Sequence, residues 1–240
     1  MRFLILPAAS SSDGRADEDL IPQAAALGPV ARIWEAPRGL VVPRTYASLP
    51  GFDHVREAFA REGWPIAVRQ SGGGVVPQGP GILNLSLALP LRGRPLDHSE
   101  ALYRLICAII QAALTPLGID ARAQAVEGSF CDGRFNLAVG EPARKIAGTA
   151  QVWRRIPDGP RDLHAGLVHG LILARIDPTA LTGQANRLES ALGSSRRYLP
   201  ERIASLDTLG PSPRSGLFKA LKSGLADALR SAWPDLTTDR

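Results

Sequence analysis

Cysteine is scarce in this 240-residue chain, which holds two, Cys107 and Cys131. That is too few for a disulfide framework or a cysteine-built metal cluster. Aromatic residues make up 5% of the chain, and no block of consecutive basic residues is interleaved with them, so nucleic acid is not an expected partner. No window approaches the roughly 20 apolar residues of a membrane span. The opening Met1–Pro7 begins like a leader, but its apolar run breaks at Pro7 and Ser10–Arg15 follows, so the hydrophobic stretch is too short. A soluble, cytoplasmic protein with no membrane partner is expected. His54, His98 and His164 show no metal-ligand spacing and are expected at the surface, with no metal and no cofactor. The triple glycine Gly72–Gly74 lacks the Gly-Lys-Ser/Thr of a phosphate loop, and dinucleotide-type glycine spacing before a helix is missing. There is no internal repeat and no low-complexity tract.

What is present is ordinary globular composition: 45% hydrophobic, 21% charged, net charge +5. The length suits one sizeable domain or one with a short appendage, and the positive balance favours acidic partners such as acidic carrier proteins. Strands are expected at Phe3–Leu6, Ala31–Glu35, Gly39–Val42, Ile66–Arg69, Gly81–Leu89, Phe135–Val139, Ile146–Val152 and Leu167–Ile176. The second and third of these, separated by a Pro-Arg-Gly turn, suggest a hairpin, and Pro90 is expected to end the strand carrying Asn84 and Ser86. Helices are expected over Asp17–Leu27, Phe52–Glu62 and Ser215–Leu229, and from a capping box at Asp97–Glu100. The helix after that box carries an apolar stripe from Leu102 to Leu117, with Cys107 beside it as a small buried hydrophobe. Gly210–Pro213 reads as a linker. Strands and helices interleave without a steady βαβ rhythm, which predicts an α+β fold with a mixed, largely antiparallel sheet flanked by helices.

Gly128-Ser129-Phe130-Cys131-Asp132-Gly133, running towards Arg144-Lys145-Ile146-Ala147-Gly148-Thr149-Ala150-Gln151, carries the chemistry. A thiol attacks as the thiolate, and a nearby ammonium favours that form. If Cys131 and Lys145 meet in the fold, the natural reaction is acyl transfer through a thioester. In Arg69-Gln70-Ser71-Gly72-Gly73-Gly74-Val75-Val76, consecutive glycines let the backbone approach a ligand and aim several N–H groups at it.

Arg69–Gly74, Asn84, Arg144–Gln151 and His169-Gly170 together resemble, in order and approximate spacing, the catalytic domain of the biotin/lipoate protein ligase superfamily, as does Ile33–Pro37. The similarity runs from about residue 30 to 180. It implies a catalytic domain over residues 1–180 with a helical extension, 181–240, packed on it. Within that superfamily Gly128–Gly133 followed by Phe135-Asn136-Leu137 is most similar to the cysteine-dependent lipoyl amidotransferases. That resemblance implies Cys131 as nucleophile and Lys145 as its partner, with Arg69, Ser71, Gly72, Gly73, Gly74, Val75, Asn84, Gly148, Thr149, Ala150, His169 and Gly170 at the substrate. It also implies an acyl tunnel lined by Val75, Val76 and Leu83. The implied partners are acyl-carrier or lipoyl-domain proteins, namely the glycine-cleavage H protein and the acyltransferase subunits of 2-oxoacid dehydrogenases. Pro77-Gln78-Gly79 departs from the His-Asp usual in ATP-dependent lipoate ligases. Two alternatives stay open: such a ligase, working through an adenylate, and a non-catalytic acyl-binding or assembly protein.

Overall fold

Two eleven-residue strands rich in aliphatic residues, Ile82–Arg92 and Leu163–Leu173, pair antiparallel along their whole length and form the spine of the molecule. The computed structural model describes residues 2–8, 17–157, 159–209 and 216–232. In chain order the elements are β1 (Leu4–Leu6), α1 (Leu20–Leu27), β2 (Val30–Trp34), β3 (Gly39–Pro43), α2 (Arg44–Ala47), α3 (Phe52–Arg61), β4 (Ile66–Arg69), β5 (Val76–Gln78) and β6 (Ile82–Arg92). Then follow α4 (Pro95–Leu114), β7 (Arg122–Ala123), β8 (Leu137–Val139), β9 (Arg144–Arg155), β10 (Leu163–Leu173), α5 (Pro178–Ala191) and α6 (Leu217–Ser231). A seven-stranded sheet has the order β1-β2-β6-β10-β9-β8-β7, and a three-stranded sheet the order β4-β3-β5. Among the strand pairs of the described residues, β1–β2 and β3–β4 are parallel and the rest antiparallel, so the fold is α+β, mixed and largely antiparallel. The expected linker at Gly210–Pro213 lies outside the described residues, as does Ser10–Arg15.

Side-chain alternation along β10 separates the two faces of the large sheet. Val168 and Ile172 point into the main core with Leu102, Ile106 and Ile110 of α4 and Leu221 and Leu225 of α6. Leu171 and Leu173 point the other way, into a second core with the small sheet and with Leu181, Ala185 and Leu188 of α5. The glycines of β10 fit this division: a Cβ on Gly170 would come within 2.9 Å of Ile110 Cδ1, and one on Gly166 within 2.7 Å of Leu102 Cδ1. They let α4 lie close against the strand.

Several expectations need correction. β2 and β3 are not a hairpin; β2 lies between β1 and β6, and β3 between β4 and β5. Each already has a partner on both edges, and both are buried along nearly their whole length, so neither has a free edge for the other. β6 continues through Pro90 to Arg92, because its pairing with β2 stops at Ala88 and proline is tolerated where a strand has one free edge. α4 begins at Pro95, a residue preorganised for a first helical position, and Asp97 pairs with Arg94 at 3.1 Å instead of capping. His98 is buried, with Nε2 2.6 Å from Arg92 O. Against the expectation of no span-like window, Pro95–Leu117 is long and apolar enough by composition to cross a bilayer. Its apolar side is occupied by the sheet and α6.

Candidate active site

A pocket opens between the two sheets. Its floor is the β10 row Leu167, His169, Leu171 and Leu173 with Gly148, Ala150 and Val152 of β9. Its opposite wall is Val41, Arg69, Val76 and Gln78 of the small sheet, and Phe130, Cys131 and Lys145 stand on one side of it. Counting the part open to solvent, the space is about 830 Å³.

Cys131 is half-buried at this pocket and has φ +48°, alone among the described non-glycine residues in being left-handed. Such a conformation costs on the order of 1–3 kcal/mol and persists only where the surroundings over-determine it. Here the carbonyl of Cys131 accepts from Gly133 N at 2.9 Å, Asn136 Nδ2 at 2.9 Å and Lys145 Nζ at 3.2 Å. Gly73, at φ +108°, lies against the thiol: a Cβ there would come within 2.5 Å of Cys131 Sγ and 2.9 Å of Arg69 Nη2. Only a residue without a side chain lets the loop close over the sulfur. Arg69 holds the loop in shape, donating to Gly72 O at 2.8 Å, Gly74 O at 2.9 Å and Val41 O at 3.0 Å.

Lys145 is 2% exposed. Its Nζ donates to Phe130 O as well as to Cys131 O, so the amine is tied to the backbone on either side of the nucleophile candidate. Burial pulls its pKa from 10.5 down to about 8, opposed by negative charge on Cys131 and Asp132 and reinforced by Arg69. Gly148 makes room for it, since a Cβ there would lie 2.6 Å from Nζ. The ammonium is thus less firmly charged than the sequence suggested, and better placed to exchange a proton near neutral pH. Cys107 is the contrast: buried among α4 side chains, with its thiol pushed up to about 11 by burial.

His169 belongs to a second cluster in the pocket wall. Its Nδ1 lies 2.9 Å from Asp17 Oδ2 and 3.0 Å from Ser86 Oγ, and Trp34 Nε1 donates to Ser86 Oγ at 3.0 Å. Burial raises the Asp17 carboxyl, but the charge and hydrogen bond of His169, with the Ser86 hydroxyl, bring it below the usual carboxylate value. Asp17 is 152 positions from His169 in sequence, and no spacing signal points to it.

Of the positions expected at the substrate, Arg69, Ser71, Gly148, Thr149, Ala150 and His169 line the pocket with Cys131 and Lys145. The others do not. Gly72 and Gly74 shape the loop behind it, and Val75 is fully buried in the second core, where it cannot line a tunnel. Leu83 faces the main core on the far side of the sheet. Asn84 is fully buried and reaches the pocket only through Gln78, with which it exchanges hydrogen bonds of 3.0 and 3.2 Å. Gly170 faces α4. Gln78, Phe130, Leu171 and Leu173 were missed; the last two share the alternation of His169, which could have revealed them. Among the described residues no group of three or more His, Cys, Asp or Glu side chains could hold a metal ion.

Residues 17–220 match the lipoyl protein ligase A/B catalytic domain. A protein of Cupriavidus necator, described as uncharacterized, is 46% identical over 232 residues, covering 92% of this chain and 91% of its own. Octanoyl-GcvH:protein N-octanoyltransferase of Kyrpidia tusciae is 41% identical over 156 residues, 62% of this chain and 51% of that enzyme. The chain therefore spans about half the length of this named relative. Among solved structures, a bipartite lipoate protein ligase of Thermoplasma acidophilum, described together with its E2 lipoyl domain, is similar with a TM-score of 0.63 at 20% identity, covering 95% of this chain and 83% of that one. A lipoate-protein ligase A bound with ATP gives a TM-score of 0.63 at 20% identity, over 95% of this chain and 84% of that one. At this identity the likeness is one of fold.

Proposed function

The chain belongs to the lipoyl protein ligase A/B catalytic-domain family, and from that premise we propose that it is an acyltransferase moving an octanoyl or lipoyl group through a thioester on Cys131. The acceptor in this reading is a lysine of a lipoyl-carrier domain, and the net charge of +5 suits an acidic one. The observation that carries the reading is the strained Cys131, with its carbonyl held by Lys145 and its thiol beneath Gly73. An adenylate-forming enzyme has no need of a cysteine held in this way.

The chemistry follows from the placements. Lys145, with a pKa brought to about 8, takes the thiol proton. The thiolate of Cys131 attacks the donor carbonyl; a C–S bond forms, the bond to the donor's heteroatom breaks, and Lys145 returns the proton to that leaving group. The acyl chain lies over Leu171 and Leu173, opposite Val41 and Val76. In the second half the neutral amine of the acceptor lysine attacks the thioester carbon, a C–N bond forms, the C–S bond breaks, and the amine's proton goes back to the thiolate.

Intact-mass measurement after mixing with an octanoylated carrier domain tests this. One octanoyl mass, removable by hydroxylamine, is expected on wild type and on Cys107→Ala, and none on Cys131→Ala. Labelling that survives loss of Cys131, or transfer strictly dependent on ATP and free acid, refutes the thioester route and favours the ligase.

A further inference from the structure

Residues 198–204 run past all three segments that meet at Cys131 and bond to each. Tyr198 Oη accepts from the Val75 amide at 3.3 Å, directly after the triple glycine. Leu199 N donates to Gly128 O at 2.8 Å, and the Tyr198 ring packs on Phe130 with centroids 5.1 Å apart. Both contacts lie on the stretch leading into Cys131. Ala204 N donates to Lys145 O at 2.9 Å. None of these contacting residues beyond Phe130 and Lys145 lines the pocket.

Behind this strap sits Glu189, 0% exposed. Its Oε1 accepts from Tyr46 Oη at 2.6 Å and from Tyr198 Oη at 2.8 Å. A tyrosine hydroxyl has one proton to give. Committing it to Glu189 leaves the oxygen's lone pairs for the Val75 N–H, so the carboxylate sets the direction in which Tyr198 can hold the loop. The fit is close from the loop side as well: a Cβ on Gly74 would sit 2.6 Å from Tyr198 Oη and 2.8 Å from Arg196 Nη1. A buried carboxylate and two tyrosines are a costly way merely to fill space, since apolar side chains of similar volume do so without desolvation.

We propose that Tyr198, oriented by Glu189, is a positioning residue that sets the glycine loop and the Cys131 loop at the separation acyl transfer requires. The proposal rests on the acyl-transfer reading above. It explains how the left-handed Cys131 is held, since its support comes from the strap as well as from its own turn.

The test uses the full chain and two readouts, the pH profile of Cys131 alkylation by iodoacetamide and the kcat and KM of octanoyl transfer. Tyr198→Phe keeps the ring on Phe130 and deletes the hydroxyl. It should lower kcat about tenfold, as loss of alignment does, leave KM for the carrier domain within about twofold, and shift the alkylation profile. Glu189→Leu should behave like Tyr198→Phe, whereas Glu189→Gln, which keeps an acceptor oxygen, should restore both readouts. Wild-type kcat and profile in Tyr198→Phe, or equal damage in Glu189→Gln and Glu189→Leu, overturns the proposal. If Tyr198→Phe does not fold, Gly74→Ala pushes on Tyr198 Oη from the loop side; the same shift in alkylation supports the strap, and a wild-type profile refutes it. Absence of any transfer by wild type defeats the acyl-transfer reading, while alkylation still judges the strap.

Discussion

Replacing Lys145 by methionine separates the energetic cost of its burial from its part in the chemistry. The amine's pKa of about 8 in place of 10.5 means that folding disfavours the ammonium by about 3 kcal/mol, at 1.36 kcal/mol per pK unit. Its folded value lies below its unfolded one, so the unfolded chain binds the extra proton between pH 8 and 10.5. Stability from this group is therefore fully present above pH 10.5 and is lost as pH falls through 8. For these two values the linkage gives wild type a gain of about 2.5 kcal/mol between pH 7 and pH 10 that the variant lacks. At pH 7 the substitution removes the burial cost but leaves Phe130 O without the Lys145 donor, a loss of about 1–3 kcal/mol. Cys131 O keeps Gly133 N and Asn136 Nδ2. The two effects nearly cancel at neutral pH, and the variant is the less stable protein at pH 10. Urea unfolding of both proteins at pH 7, 8, 9 and 10 measures the difference, and groups that titrate alike in both drop out of it. A difference that stays flat across that range would refute the placement of a titrating amine inside the fold. Transfer by Lys145→Met should fall about 10²–10⁴-fold near pH 8, the usual contribution of a positioned acid–base group.

Gly148→Ala puts a methyl 2.6 Å from Lys145 Nζ; the flexible amine gives way, so the protein should stay folded by circular dichroism while single-turnover acylation drops at least about tenfold. Cys131→Gly should be more stable than Cys131→Ala by about 1–2 kcal/mol in urea midpoints, because only the glycine relaxes the left-handed backbone; equal midpoints would mean that φ carries no strain. Gly170→Ala crowds Ile110 Cδ1 at 2.9 Å and Ile106 Cδ1 at 3.2 Å and should cost about 1–3 kcal/mol by overpacking, with the folded fraction retaining wild-type kcat. A selective loss of kcat there would return Gly170 to the substrate site.

The strands that carry the site were readable because their side chains alternate or run apolar without a break: β4, β8, β9 and β10 fall within a few residues of their expected places. So was the approach of Cys131 to Lys145, since one short turn joins β8 to β9 and returns the chain to the Cys131 loop. What could not be read was pairing between distant segments. A strand with partners on both edges looks in sequence like one half of a hairpin, which is why β2 and β3 were joined wrongly. Asp17 beside His169 and Glu189 beneath Tyr46 depend on contacts across 152 and 143 positions. Leu83 was misplaced for a different reason: in a strand buried on both faces, hydrophobicity does not say which face looks into a cavity, and Val75, just ahead of β5, is apolar like its pocket-lining neighbour Val76.

The pocket lies between two sheets that, among the described residues, share no strand. Each wall is stiffened internally by its own ladder, and no ladder rung joins the two, although the chain crosses between them at the short connections 35–38 and 79–81. Widening the gap for a longer guest breaks no rung of either ladder. It loosens dispersion contacts such as those around Val41, Val76 and Leu171, each worth about 0.1–0.2 kcal/mol per atom pair. Discrimination by chain length should then be graded: a homologous acyl series plotted as log kcat/KM against carbon number should descend as a slope, where a closed barrel would impose a step.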